Sequence, residues 1–250
     1  MVRFLEWILN LRAPVKRAYA SRKPMTTETP ILICGPPGSG TSLATKILRR
    51  SGVFVGSDAG PHEARKFHES ACFREANNLI LNATIGFPHA PKTTAQFLQH
   101  IEKLEQNTQE LASLIDVRYL LRQYWCSKEP CLPWGWKDPR NSANVLLWRN
   151  IFPELRILTV NKCWSWRERN RIGSKAGNWF RRQSTWRLRR LYRKPPHSNG
   201  LDFHELSFDR LIISCPDELG RLWNWIGVND ISPLGENEIA ELVKQDKFDV

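Results

Sequence analysis

The chain has 250 residues, of which 41% are hydrophobic and 25% are charged, and its formal net charge is +12. This composition argues against disorder, and no apolar run reaches the length that a bilayer-spanning helix needs. We expect one domain over residues 30–250, preceded by a leader over residues 1–29.

The first predicted element is a short amphipathic helix over residues 2–12, on a basic N-terminus. It could lie on an anionic membrane surface, and a helix packed against its own domain or a frayed leader is favoured at least as much. The apolar stretch is too short and interrupted for a cleavable secretory signal. Six cysteines without a C-x-x-C pair favour a reduced compartment, so a cytoplasmic location is expected.

A strand predicted over residues 31–34 runs into a glycine-rich turn, and a helix is predicted from about Thr41 to Arg50. The turn fits the pattern G-x-x-x-x-G-K-[ST] at Gly35, Gly40 and Ser42, but Thr41 stands where that pattern has lysine. The backbone N–H groups of residues 38–42 and the positive end of the helix dipole would point at one spot. The turn therefore predicts a phosphate or sulfate site, and a turn without a ligand is the alternative.

Further strands are predicted near residues 132–137, 155–160 and 200–204. Helices are predicted near 69–82, over 93–125 as two helices or one bent helix, and over 141–150 and 209–226. Alternating strands and helices imply right-handed crossovers and an α/β fold with a central parallel sheet flanked by helices. The site is then expected beyond the carboxyl ends of the strands, where residues 35–42, 137–140 and 162 fall.

The positive charge is concentrated in residues 167–194, which hold eleven Arg or Lys against one acidic residue. Aromatic residues interleave with these charges, so the segment is predicted as one or two helices with an apolar side and a cationic side. Capture of a polyanionic cofactor, a nucleic-acid patch and a solvated helix face are the alternatives. Ligand capture is favoured slightly over a solvated face, and nucleic acid is not the expected partner.

Residues 37–42, Pro-Gly-Ser-Gly-Thr-Ser, resemble the P-[KR]-S-G-T-[ST] loop of the sulfotransferase family. That loop binds the 5′-phosphosulfate end of 3′-phosphoadenosine 5′-phosphosulfate (PAPS). Three later segments resemble family segments in the family's order: Phe67-His-Glu69 with Asn77, residues 134–140 (Trp-Gly-Trp-Lys-Asp-Pro-Arg), and residues 203–206 before a helix reaching Gly227.

The resemblance implies a three-layer P-loop NTPase-like fold and transfer of a sulfonyl group from PAPS to a hydroxyl or amine of a carbohydrate, lipid or small metabolite, with no metal. It implies that Lys137 lies near the transferred group and that Glu69, or else Asp138, takes the acceptor's proton. The implied cofactor-binding residues are Gly35, Pro37, Gly38, Ser39, Gly40, Thr41, Ser42, Lys162 and Asn170.

This sequence departs from the family pattern at three of those positions. Gly38 stands where the family has a basic residue, and Lys162 and Asn170 stand where it has the arginine and serine of the 3′-phosphate site. Lysine keeps the charge of arginine but lacks the planar fork that binds a phosphate through two hydrogen bonds.

Two other functions compete with sulfotransfer. A P-loop nucleotide kinase or NTPase is one, since Gly-Pro-Pro-Gly-Ser-Gly also occurs in nucleoside monophosphate kinases; the missing lysine and Asn161 at the end of a strand speak against it. A non-catalytic sulfotransferase-like binder that uses residues 167–194 is the other. Purely structural roles also remain open: a helix N-terminal charge for Glu69, and for Asp138 an ion pair with Lys137 or Arg140.

Overall fold

The computed structural model of the chain describes residues 29–35, 39–56, 69–86, 94–125, 133–162, 202–213 and 215–227, with residues 238, 241 and 242. The predicted helix over residues 2–12, the basic segment 167–194, and Pro37, Gly38 and Asn170 lie outside the described residues. What the sequence predicts for them stays a prediction.

The described strands form one parallel sheet in the order β2-β1-β3-β4. They are β1 (Ile31–Cys34), β2 (Gly135–Lys137), β3 (Arg156–Asn161) and β4 (Asp202–Ser207). All four residues of β1 are buried, as expected for an apolar run at the centre of a parallel sheet. Ile33 is in register with Lys137 on one side and with Leu158 on the other.

Helices cover both faces of this sheet. Those described are α1 (Thr41–Arg50), α2 (Ala71–Ile85), α3 (Thr94–Ser113), α4 (Val117–Trp125), α5 (Asn141–Ile151), α6 (Phe208–Ile213) and α7 (Cys215–Ile226). Leu32 and Cys34 pack on one face with α2 to α5, and Ile31 and Ile33 pack on the other with α1, α6 and α7. This layering confirms the predicted α/β fold with a parallel sheet flanked by helices. None of the described helices is both long and apolar enough to cross a membrane.

The prediction of a single helix over residues 209–226 is wrong, because this stretch holds two helices. α6 ends at Ile213 and α7 begins at Cys215. Pro216 explains the new start, since proline has no N–H to continue an earlier helix and is well tolerated in a first turn. Residues 93–125 also form two helices, α3 and α4, and Asn107 interrupts α3 with a φ of −126°.

Aromatic side chains hold β2 in place on the face covered by α2 to α5. Trp136 of β2 stacks on Phe73 of α2 with ring centroids 4.2 Å apart, and it meets Trp148 of α5 edge-on at 5.3 Å. Trp134, just before β2, lies 5.7 Å from Trp136 in a stacked arrangement. Such aromatic pairs stabilise the core beyond the area they bury, and here they surround the strand that ends in Lys137.

Candidate functional site

The carboxyl ends of β1, β2 and β3 bring most of the described candidate residues to one edge of the sheet. Gly35 follows β1, Lys137 ends β2, and Lys162 follows β3. Because β1 lies between β2 and β3, the two lysines are on the strands that flank the turn after β1. Among the described residues, no three His, Cys, Asp or Glu side chains are grouped so that they could hold a metal ion.

The turn between β1 and α1, residues 35–42, is called the anion turn below. Its described part is closely packed. Gly40 has a φ of +92°, which favours glycine, and a Cβ there would overlap the ring of Phe208. A Cβ on Gly35 would come within 2.6 Å of Ser39 Oγ. The packing around Gly35 and Gly40 therefore leaves no room for a side chain at either position.

The described part of the anion turn presents hydrogen-bond donors. α1 starts at Thr41 with no side-chain cap from the described residues, and its first turn contains no acidic residue. The Ala44 N–H bonds to the Gly40 carbonyl, so the N–H groups of residues 41–43 precede that first helical bond. Ser39 Oγ is buried and has no hydrogen-bond partner among the described residues. A buried unpaired hydroxyl beside a helix N-terminus fits an anionic ligand.

Lys137 and Glu69 form an ion pair at this edge. Lys137 Nζ donates a hydrogen bond to Glu69 Oε1 at 3.1 Å. The lysine side chain is 4% exposed and the glutamate side chain 12%, so the pair is largely removed from water. Glu69 directly precedes Ser70, the N-cap of α2, which agrees with the helix N-terminal position predicted for it. Both residues that the resemblance implicates in transfer therefore meet, although 68 residues separate them.

Asp138 is engaged with Arg140. Its carboxylate accepts a bond from the Arg140 backbone N–H at 2.7 Å and bonds from the guanidinium at 3.0 and 3.1 Å. The ion pair with Arg140, one of the two structural roles predicted for this residue, is confirmed. Burial raises the pKa of Asp138 to about 6, against a lowering by Arg140. With its side chain buried and both oxygens bound, Asp138 stabilises the connection between β2 and α5.

Lys162 lies close to the anion turn through an aromatic ring. Its Nζ is 5.1 Å from the ring centroid of Phe208, a distance typical of a cation–π interaction. The same ring packs against Gly40. Phe208 thus connects the lysine after β3 with the start of α1.

Phe208 and Asn141 contact residues of the candidate site, and neither contact was predicted from the sequence. For Asn141 a signal existed: Asn141 and Asn144 stand beside apolar residues in a predicted helix, and a polar residue on a buried helix face indicates a hydrogen-bonded network. For Phe208 no local pattern existed, because its contact with Gly40 depends on how β4 and α6 pack beside β3.

The sequence matches no protein-family model, and no curated protein matches it. Among solved structures, the fold is similar to that of the sulfotransferase STF9 from Mycobacterium avium, with a TM-score of 0.43 and 14% identity. The match covers 99% of this chain and 71% of that one. Because the likeness is this distant, it does not assign a function to the chain.

Proposed function

We propose that the chain is a sulfotransferase that moves a sulfonyl group from PAPS to a hydroxyl or amine of a carbohydrate, lipid or small metabolite. The observation that carries the proposal is the Glu69–Lys137 pair. It lies at the end of β2, the strand beside β1, and β1 runs into an anion turn that has Thr41 in place of the P-loop lysine. Sulfonyl transfer needs a held anion, a cation near the transferred group and a base for the acceptor's proton.

The anion turn supplies the first of these requirements. The N–H groups at the start of α1 and the Ser39 hydroxyl would bind the 5′-phosphosulfate end of the donor, with the hydroxyls of Thr41 and Ser42 beside them. Pro37, Gly38 and Asn170 belong to the same proposed donor site by resemblance alone. Lys162 adds positive charge near the turn, which suits a donor carrying both a 5′-phosphosulfate and a 3′-phosphate.

The Glu69–Lys137 pair supplies the other two. In the proposed step the acceptor oxygen attacks sulfur, and the bond from sulfur to the bridging phosphate oxygen breaks. Glu69 takes the acceptor's proton, and the bond's electron pair leaves on 3′-phosphoadenosine 5′-phosphate (PAP). Lys137 offsets the negative charge on the sulfonyl oxygens, and the N–H groups of the turn offset the charge that grows on the leaving phosphate.

Glu69 fits the role of base better than Asp138 does. The Asp138 side chain is fully buried and both of its oxygens are bound by Arg140, so an acceptor would have to displace that clamp. Glu69 retains some exposure, and of the described groups its Oε1 carries one charged partner, Lys137. A base must come within hydrogen-bond distance of the proton it takes, which favours the more accessible carboxylate.

Calorimetric titration with PAP, with ATP and with single-stranded DNA, each with and without Mg²⁺, tests donor recognition. The proposal predicts metal-independent binding of PAP in preference to ATP. Mg²⁺-dependent ATP binding would instead identify a P-loop kinase or NTPase, and DNA binding with a steep salt dependence would identify a nucleic-acid patch. Either result, without PAP binding, overturns the proposal.

Transfer itself is tested with ³⁵S-labelled PAPS and a panel of hydroxyl and amine acceptors. Wild-type protein is expected to label at least one acceptor class, and Lys137→Met to lower that rate by roughly 10²-fold or more. Lys103→Met is the matched control, because it removes the same charge from α3, a helix that carries none of the proposed site residues. Binding of PAP without transfer to any acceptor would favour the non-catalytic binder.

A further inference from the structure

A buried asparagine joins the elements that carry the proposed site. Asn141, the first residue of α5, donates through Nδ2 to the Ile33 carbonyl at 3.1 Å and to the Trp136 carbonyl at 3.4 Å. Its Oδ1 accepts bonds from Asn77 Nδ2 at 3.0 Å and from Trp136 Nε1 at 3.2 Å. One side chain thus bonds to β1, β2 and α2.

The network continues from α2 back to α5. Asn77 Oδ1 accepts bonds from Asn144 Nδ2 at 2.7 Å and from Trp148 Nε1 at 3.0 Å. Asn77, Asn141 and Asn144 are all fully buried. Removing amides from water is costly unless they are hydrogen-bonded, and such networks specify one arrangement of the elements they join.

The anchor points of Asn141 lie next to the reacting groups. Trp136 precedes Lys137, and Ile33 is in register with Lys137 and two residues before the anion turn. Asn77 lies on the helix whose N-cap follows Glu69. A shift of α2 relative to β2 would therefore change the distance between Glu69 and Lys137.

We propose that Asn141 is a positioning residue: its bonds to Asn77 and to the carbonyls of Ile33 and Trp136 hold Glu69 within reach of Lys137 and hold both beside the anion turn. The role in turnover rests on the proposed sulfotransferase function. The role in setting the Glu69–Lys137 geometry does not.

The first test uses Asn141→Asp, which keeps the size and the acceptor oxygen but loses the two donated bonds. If Asn141 positions the reacting groups, kcat falls by about 10- to 100-fold, while the KM for PAPS and the Kd for PAP change by less than about threefold. Asn77→Ala removes the bond to Asn141 from the α2 side and should likewise lower kcat with little change in KM or Kd. If one of the two variants does not fold, the other still tests the proposal.

Ser51→Ala is the control for a merely structural effect. Ser51 is fully buried at the C-terminal end of α1, and its hydroxyl accepts a bond from Trp223 Nε1 at 2.9 Å. This bond lies on the face of the sheet opposite to α2 and α5, which carry the asparagine network. We expect the control variant to lower the melting temperature and leave kcat within about threefold. If it lowers kcat as much as the asparagine variants at equal loss of stability, the positioning role is wrong.

The second test does not depend on turnover. A double-mutant cycle of Lys137→Met and Glu69→Gln, measured by urea unfolding, gives the coupling between the two side chains. In the Asn77→Ala background this coupling should fall by roughly half or more, while the coupling of Arg221 with Glu218, an ion pair on α7, stays unchanged.

The two readouts separate failure of the inference from failure of the proposed function. If coupling falls but wild-type protein neither binds PAP nor transfers sulfonyl groups, the sulfotransferase function fails and the positioning role stands. If wild-type protein is active but both coupling and kcat survive in the asparagine variants, the positioning role fails and the function stands.

Discussion

The ring of Phe208 packs against the backbone of Gly40, so the residue that opens α6 bounds the anion turn on one side. Gly40 has a positive φ of +92° and lies directly before α1. The same ring lies near Lys162 Nζ. One aromatic side chain therefore contacts both the anion turn and the lysine that follows β3.

Gly40→Ala is expected to destabilise the protein and to abolish PAP binding. Gly86→Ala is the matched control, since Gly86 also has a positive φ, +75°, but a Cβ there would meet nothing within 4 Å. The control should lower the free energy of unfolding by about 1 kcal/mol, and Gly40→Ala by about 1–3 kcal/mol more because of the overlap with Phe208. Urea unfolding and PAP calorimetry measure both effects; equal losses in the two variants would show that Phe208 does not constrain the turn.

Phe208→Leu is expected to weaken PAP binding by about two- to fivefold. Leucine keeps apolar contact with Gly40 but removes the aromatic face near Lys162, and a cation–π interaction that is not fully desolvated contributes about 0.5–1 kcal/mol. In a Lys162→Met background the same substitution should have no further effect on the PAP Kd. An undiminished effect in that background would contradict the connection between the two residues.

The stability losses caused by Lys137→Met and by Glu69→Gln should not be additive. Lys137→Met removes the cation that Glu69 Oε1 accepts a bond from, and Glu69→Gln removes the carboxylate that Lys137 Nζ donates to. Breaking a largely buried ion pair from either side costs about 3 kcal/mol of unfolding free energy. The double variant removes both charges, so its loss should be clearly smaller than the sum of the single losses. Transfer should fall in all three variants, and thermodynamically additive losses would indicate that the 3.1 Å pair contributes nothing.

His100 should make the protein less stable in mild acid. It is buried between Thr84 and the Ala143 carbonyl, and burial lowers its pKa from the ordinary 6.5 to about 4. Between pH 6.5 and 4 the imidazole binds a proton in the unfolded chain but not in the folded protein. The stabilisation that is present above pH 6.5 is therefore lost as the pH falls towards 4. The loss amounts to about 3 kcal/mol. His100→Gln should flatten this part of the pH profile of urea unfolding, and an unchanged profile would contradict it.

Asp138 should make the folded protein more stable as the pH falls, over nearly the same pH range in which His100 makes it less stable. Burial raises its pKa from 3.8 to about 6, so the folded protein binds a proton before the unfolded chain does. Its contribution is fully present below pH 3.8 and is lost as the pH rises through 6. Asp138→Asn removes this compensation, and the variant should lose stability more steeply than wild type between pH 6 and 4. A variant profile parallel to that of wild type would show that the buried carboxylate does not titrate in this range.

Much of the fold was predictable because its signals are local. A buried central strand needs a continuous apolar run, which residues 31–34 provide, and the glycine-rich turn that follows predicts the start of α1 at Thr41. The break between α6 and α7 was the exception. The apolar periodicity crosses that break, and Pro216 is compatible with the first turn of a helix as well as with a helix boundary.

The candidate site was predictable only in part, because side chains meet there from distant parts of the chain. Glu69 and Lys137 were singled out by resemblance, but the 3.1 Å bond between them follows from the packing of α2 against β2 and α5. For Asp138, the sequence left an ion pair with Lys137 or with Arg140 open, and the tertiary structure pairs it with Arg140 through both carboxylate oxygens. No spacing in the sequence indicates the contact of Phe208 with Gly40.

The amino-acid sequence by itself determined most of the order of strands and helices, the apolar strand over residues 31–34 and the lysine-free turn, because backbone preference and apolar periodicity act over a few residues. The tertiary structure decided which charges pair, which glycine is enclosed and which asparagine joins three elements. Among those contacts, the bonds of Asn141 to Asn77 and to Ile33 connect residues 64 and 108 positions apart, and only the packing of helices on a parallel sheet brings such residues within hydrogen-bond distance.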